Sequence, residues 1–143
     1  MNRNSILRMA LLAVFACGIF INSASAQTES CRKTLSQKYP KAKYVEWEME
    51  NGYMTAEFLD EYNQEVEMCF DTQGNWVRTK TDLFFRNLPD VVKKAYQNSP
   101  YAQWRVDDID FVEQPKAESI YIIEVEKGEQ EYKLFISEKG EIK

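Results

Sequence analysis

The sequence predicts an α+β fold: two tandem modules, each a helix plus an antiparallel sheet, with the helices on one sheet face. Three observations predict it. Short segments alternating apolar and polar residues recur between turn signals, the pattern of half-buried strands. Two helical stretches, near residues 29–38 and 88–96, precede the two runs of strands. The chain also matches itself: Pro40 and Ala42 recur 60 residues later as Pro100 and Ala102, and Gly74 recurs 66 residues later as Gly140. The second copy thus carries about six additional residues, expected in a loop over 113–118. Two copies are too few for a solenoid.

Residues 1–26 have the form of an export leader. Arg3 and Arg8 are their only charges, residues 9–21 are an apolar run of 13, and Ala24-Ser25-Ala26 has the small-x-small form of a cleavage site. The run is shorter than the roughly 20 residues a membrane span needs. A competing reading takes Cys17 as a lipidated cysteine, but Phe15 is bulky for that box and the apolar run continues past it. Cleavage after Ala26 leaves 117 residues, divided into a first module over 27–82 and a second over 83–143, packed as one compact unit.

The first helix ends at Tyr39-Pro40, because a residue before proline is biased away from helical geometry. Residues 44–50 alternate Tyr44, Glu46, Glu48 and Glu50 against Val45, Trp47 and Met49. Asn51-Gly52 is a two-residue hairpin signal. Residues 53–59 return with Met54, Ala56 and Phe58 on one face, and strands follow over 64–71 and 75–81. Asn87 is the expected N-cap of the second helix. After Trp104 and Val106 the apolar phase switches to Ile109 and Phe111, which predicts a bulge at Asp107-Asp108. Strands over 119–127 and 131–137 flank the turn Lys127-Gly128-Glu129.

Composition excludes several chemistries. The whole chain has 18 basic and 23 acidic residues, and loss of Arg3 and Arg8 leaves 16 against 23, net −7. Nucleic-acid backbones need clustered Lys and Arg, so no nucleic-acid partner is expected. The chain has no histidine, which removes Ser-His and Cys-His catalysis and the commonest metal ligand. No cofactor motif is present, and the glycines sit at turns without forming a phosphate-binding run. Glu46, Glu48 and Glu50 could supply a carboxylate pair for glycoside hydrolysis, but almost any exposed Glu-bearing strand could do so. Asp107, Asp108 and Asp110 lack the glycine and distal glutamate of an EF-hand loop, and solvated charges at a bulge are the simpler account.

Cys31 and Cys69 survive cleavage and would meet an oxidising compartment. A disulfide between them competes with two free thiols, because Cys69 lies out of phase with Val66, Met68 and Phe70. The same phase argument places Tyr44, Tyr53, Cys69 and Trp76 on the face away from the helices, interleaved with Glu46, Glu48, Thr55, Glu57 and Glu67. Trp47 and Trp104 read as core.

Tyr39-Pro40-Lys41-Ala42, Val45-Glu46-Trp47, Asn51-Gly52-Tyr53, the run from Phe70 to Trp76, and Leu88-Pro89 occur in an order that resembles the β-lactamase-inhibitor-like, PepSY-like exported proteins. The resemblance covers residues 31–143. It implies helices covering one face of an antiparallel sheet, with the other face concave and open. It brings no catalytic residues. Related domains act as inhibitory segments of peptidases or as inhibitors that clasp an enzyme. The expected function is therefore a non-enzymatic binding module of the cell envelope, periplasmic or secreted. Tyr44, Glu46, Tyr53, Thr55, Glu57 and Trp76 are the candidate contacts for a protein or peptide. The alternative is a sensor or carrier of a small ligand or cation.

Overall fold

The computed structural model describes residues 23–143. The charged and apolar parts of the expected leader, with Cys17, lie outside the described residues. The chain runs α1 (Ser23–Lys38), β1 (Lys43–Glu50), β2 (Tyr53–Leu59), β3 (Glu65–Phe70), β4 (Trp76–Asp82), a 3₁₀ turn (Phe85–Asn87), α2 (Asp90–Gln97), β5 (Arg105–Gln114), β6 (Ala117–Lys127) and β7 (Gln130–Ser137). The seven strands form one antiparallel sheet in sequence order. The chain leaves the sheet after β4 to build α2, yet β5 returns beside β4, pairing Thr79 with Glu113 and Asp82 with Asp110. The two halves therefore share a continuous sheet.

Both helices pack on the same face. Under α1, Cys31 and Leu35 meet Met54, Ala56, Phe58, Val66, Met68 and Phe70. Under α2, Leu88, Val92 and Tyr96 meet Ile109, Tyr121, Ile123, Val125, Leu134 and Ile136. Each large side chain buried this way contributes about 1.5–3 kcal/mol. Buried Thr79 and Thr81 lie on β4, between the two clusters.

Three turns share one hydrogen-bond pattern. Asp60 Oδ1 accepts from the amides of Tyr62 and Gln64 at 2.8 Å each. Asp71 Oδ1 accepts from Gln73 and Asn75 at 2.8 and 2.9 Å, and Ser137 Oγ from Lys139 and Glu141 at 3.3 and 3.2 Å. The bonds hold the Asp71 carboxyl below its usual range, the amide of Asn75 contributing most.

Several expectations change. The second helix begins at Asp90 with Pro89 as N-cap and no side-chain cap; Asn87 instead closes the 3₁₀ turn, its amide donating to Phe84 O at 2.8 Å. Leu88, the residue before the proline, is kept extended at φ −63° and ψ 142°, so neither it nor Asn87 can open the helix, which starts after Pro89. The additional residues of the second half form no loop: β5 and β6 stay paired as far as Gln114 and Ala117, leaving Pro115-Lys116 as the turn. The bulge expected at Asp107-Asp108 is present, with the register shifting between Val106 and Asp108.

Of the two readings for Cys31 and Cys69, the structure has the free thiols. Cys31 is buried between α1 and the sheet, its Sγ 4.0 Å from Gly74 O, whereas Cys69 pairs across strands with Thr55 and Arg78 on the opposite face. The strand's period of two keeps them apart.

Candidate functional site

No helix covers the second face of the sheet among the described residues. On β1–β3 the strand register brings Glu46 opposite Glu57, Glu48 opposite Thr55, Thr55 opposite Cys69 and Glu57 opposite Glu67. Directly opposed side chains of an antiparallel pair lie about 5 Å apart, so these groups form one surface. Tyr53 stands at its end, 47% exposed. Burial raises the Glu57 carboxyl above its usual range, and repulsion from Glu67, Glu48, Glu46 and Glu65 adds to it. Two cations flank this region. Arg78 pairs with Glu67 at 2.6 Å, and Lys43 Nζ donates to Asn63 Oδ1 at 3.2 Å.

Four of the six candidate residues, Glu46, Tyr53, Thr55 and Glu57, share this surface. Trp76 does not. The register shifts so that Cys69 faces Arg78 while Phe70 faces Trp76, leaving Val77 as an extra residue. That bulge turns Trp76 to the helix side, where Lys38 Nζ sits 3.7 Å over its ring and its Nε1 donates to Thr79 Oγ1 at 2.9 Å. Tyr44 also leaves the regular alternation. It lies at the shift between Lys43 and Glu46 with φ at 56°, and is 75% exposed. Strict alternation fails at both positions because a bulge inserts one residue and resets the phase.

The middle of the face carries a feature that no motif marked. Asp82 and Asp110 are paired across β4 and β5, and Lys80 Nζ lies 4.0 Å from Asp82 Oδ1 and 3.2 Å from Asp110 Oδ1. Burial pushes the Asp82 carboxyl up to about 7; Lys80 opposes this, and Asp108 and Asp110 reinforce it. Asp110 is raised as well, chiefly by burial. Beyond lie Val112, Ile120, Ile122 and Phe135, with Lys133 and Glu124 paired at 3.0 Å. Only the folded register makes neighbours of Asp82 and Asp110, 28 positions apart in the sequence.

The helix side holds a groove of about 550 Å³ between the two helical halves, lined among others by Tyr39, Tyr62, Phe84, Arg86, Phe111 and Tyr121. Tyr39 packs edge-on against Phe58, and burial followed by repulsion from Glu113 pushes its hydroxyl up to about 12. Aromatic residues in the connector after β4 and in the turn after β2 were the available sequence signal for this groove.

The residues of the cation alternative are divided. Arg105 pairs with Asp107 at 3.0 Å, and Asp110 is held by Lys80. Among the described residues no group of three or more His, Cys, Asp or Glu is placed to hold a metal, and no helix is long and apolar enough to cross a membrane.

The architecture has relatives. Residues 52–143 match the family described as "Putative beta-lactamase-inhibitor-like, PepSY-like". A BLIP-like protein from Bacteroides fragilis superposes with a TM-score of 0.74 at 32% identity, over 80% of this chain and 81% of that one. A DUF2874 family protein from Bacteroides ovatus does so with 0.72 at 34% identity, over 79% and 82%. A structure from Bacteroides eggerthii, described as one of "putative periplasmic proteins", gives 0.70 at 25%, over 80% and 84%. No curated protein matches the chain. With a family match over well over half its length and a crystal-structure relative at 32% identity, the chain belongs to the β-lactamase-inhibitor-like, PepSY-like family.

Proposed function

We propose that this protein is an exported, non-catalytic binding module that engages a protein or peptide of the cell envelope through the uncovered sheet face. In its inhibitory form the partner is an enzyme. One observation carries the reading: a sheet face without a helical cover gathers Glu46, Glu48, Thr55, Glu57 and Tyr53 on adjacent strands. Tyrosine is enriched among the residues that dominate binding energy, because it gives large contact area at low conformational cost. The leader-like residues 1–26 and the relative described as periplasmic support export.

The same reading treats 27–82 and 83–143 as two copies of one unit. In its support, the pair Phe70–Trp76 recurs as the bridge Ile136–Ile142, and the Asp71 turn as the Ser137 turn. The Asp60 turn shares that pattern without being a repeat mate, so the bridge weighs more than the turn.

The test is capture from an envelope extract with the wild-type protein and a Tyr53→Ala/Thr55→Arg variant of equal melting temperature. Partner retention by the wild type alone is the expected result. Equal retention by both would remove the uncovered face from the mechanism.

A further inference from the structure

The sheet has two edges, and they are treated differently. At β7 the C-terminal residues cover part of the edge. Ile142 bridges to Ile136, Ser137 N donates to Glu141 O at 2.9 Å, and Lys143 N donates to Phe135 O at 2.9 Å. At β1 no described residue pairs with the outer side. Natural edge strands are commonly blunted by prolines, lysines, bulges or short length. The eight residues of β1 carry a bulge and a single lysine, Lys43, at one end, no proline, and a regular run from Glu46 onward. Its helix-side residues Val45 and Trp47 adjoin the first core cluster, and Met49 is 52% exposed beside them.

The side chains of β1 limit what can pair there. A second copy of this chain is disfavoured. Antiparallel self-pairing centred within the regular run from Glu46 to Met49 that keeps the two faces in phase sets Glu46 or Glu48 against a glutamate of the other copy, and directly opposed like charges are destabilising. Slipping by one residue avoids this but puts the apolar row of one strand on the acidic side of the other. A strand with Lys or Arg on the uncovered side and apolar residues on the helix side meets neither penalty. Its cations would lie beside Glu46 and Glu48, which have no ion pair of their own among the described residues. One strand away, Glu57 lies opposite Glu46, and burial raises its carboxyl, with repulsion from Glu48 and Glu46 adding to it.

We infer that the outer edge of β1 accepts an extended peptide segment alternating Lys or Arg with apolar residues, adding an eighth strand to the sheet. Main-chain hydrogen bonds would supply affinity, and the alternate side chains specificity. This goes beyond the uncovered-face reading: it shares Glu46 and Glu48 with that surface but adds the main chain of β1, which the Tyr53→Ala/Thr55→Arg variant leaves untouched.

The test uses an octapeptide of alternating Lys and Val, a block peptide of the same composition, and an alternating Glu-Val peptide. Binding is measured by calorimetry and by amide hydrogen exchange of the protein. The expected result is binding of the alternating Lys-Val peptide alone, with added protection confined to residues 43–50. Glu46→Gln/Glu48→Gln should weaken it by about fivefold, from roughly half a kcal/mol per exposed charge pair. The double variant should keep the wild-type melting temperature. Equal binding of the block peptide would overturn the inference by reducing the contact to diffuse charge attraction. So would added protection outside β1, or no binding of the alternating peptide at millimolar concentration.

Discussion

At the scale of single residues, burial and charge decide the outcomes. Trp47 is half-buried, its ring 6.0 Å from that of Phe70 with the Arg32 guanidinium 5.5 Å above it. Trp47→Ala should cost about 3 kcal/mol, the low end for a tryptophan truncation, because part of the ring already meets water. Denaturant unfolding checks this. Tyr53→Ala should stay within about 0.5 kcal/mol of wild type in the same assay, as expected for an exposed site. Asp82 gives a pH signature. Its folded pKa of about 7 lies above its ordinary carboxylate value, so the folded state binds the proton more tightly than the unfolded chain. Its contribution is fully favourable below the ordinary value and is lost as pH rises toward 7. Asp82→Asn should therefore melt higher than wild type at pH 8, and the gap should close near pH 4. The gain is modest, because the side chain is 39% exposed and solvent screens its charge. A variant melting lower than wild type at pH 8 would contradict this account. The free thiols predict unequal labelling: Cys69 reacts in the folded state, buried Cys31 only on unfolding, and reducing agent leaves the melting temperature unchanged.

At the scale of elements, turns and bulges set the phase that the strands then follow. Gly140 shows how tightly one turn is held. Its φ is 82°, and a Cβ there would collide with the Val91 side chain and approach Val91 O to 3.0 Å. Gly140→Ala should therefore cost about 1–3 kcal/mol, by strain at a left-handed position and by pushing the C-terminal turn off α2. Thermal unfolding would show it, and a neutral result would mean that the turn is not docked on the helix. Strand alternation was legible over residues 46–70 because no bulge interrupts it there. The bulge at Asp107 was legible too, since the apolar phase changes visibly on either side of it. The one at Val77 was not, because Trp76-Val77-Arg78 carries no phase change that a one-residue insertion would reveal. That silence put Trp76 on the wrong face.

At the scale of the whole molecule, two hydrophobic clusters sit under two helices on one sheet. The β4–β5 ladder joins them, with Thr79 and Thr81 buried between. A shared sheet predicts one cooperative transition. Leu35→Ala under α1 and Val92→Ala should each lower the same transition, by about 2–4 kcal/mol for the leucine and less for the smaller valine. Coincident far-ultraviolet circular dichroism and tryptophan fluorescence curves would establish this. Separate transitions for the two variants would show that the halves fold as independent modules.

The sequence by itself determined the α+β class, the order of helices and strands, the Asn51-Gly52 hairpin, and the core rows Met54-Ala56-Phe58 and Val66-Met68-Phe70. These follow from local periodicity and turn chemistry, which a chain carries in its nearest neighbours. Its motif order also pointed to the family that the structural relatives support. Tertiary structure alone decided that β4 and β5 pair, that Asp82 meets Asp110, that Cys31 and Cys69 lie on opposite sides, and that the edge of β1 stays uncovered while the C-terminal residues cover part of the edge of β7. Each of these depends on register between distant strands, and a one-residue bulge can reverse it while leaving local periodicity almost unchanged.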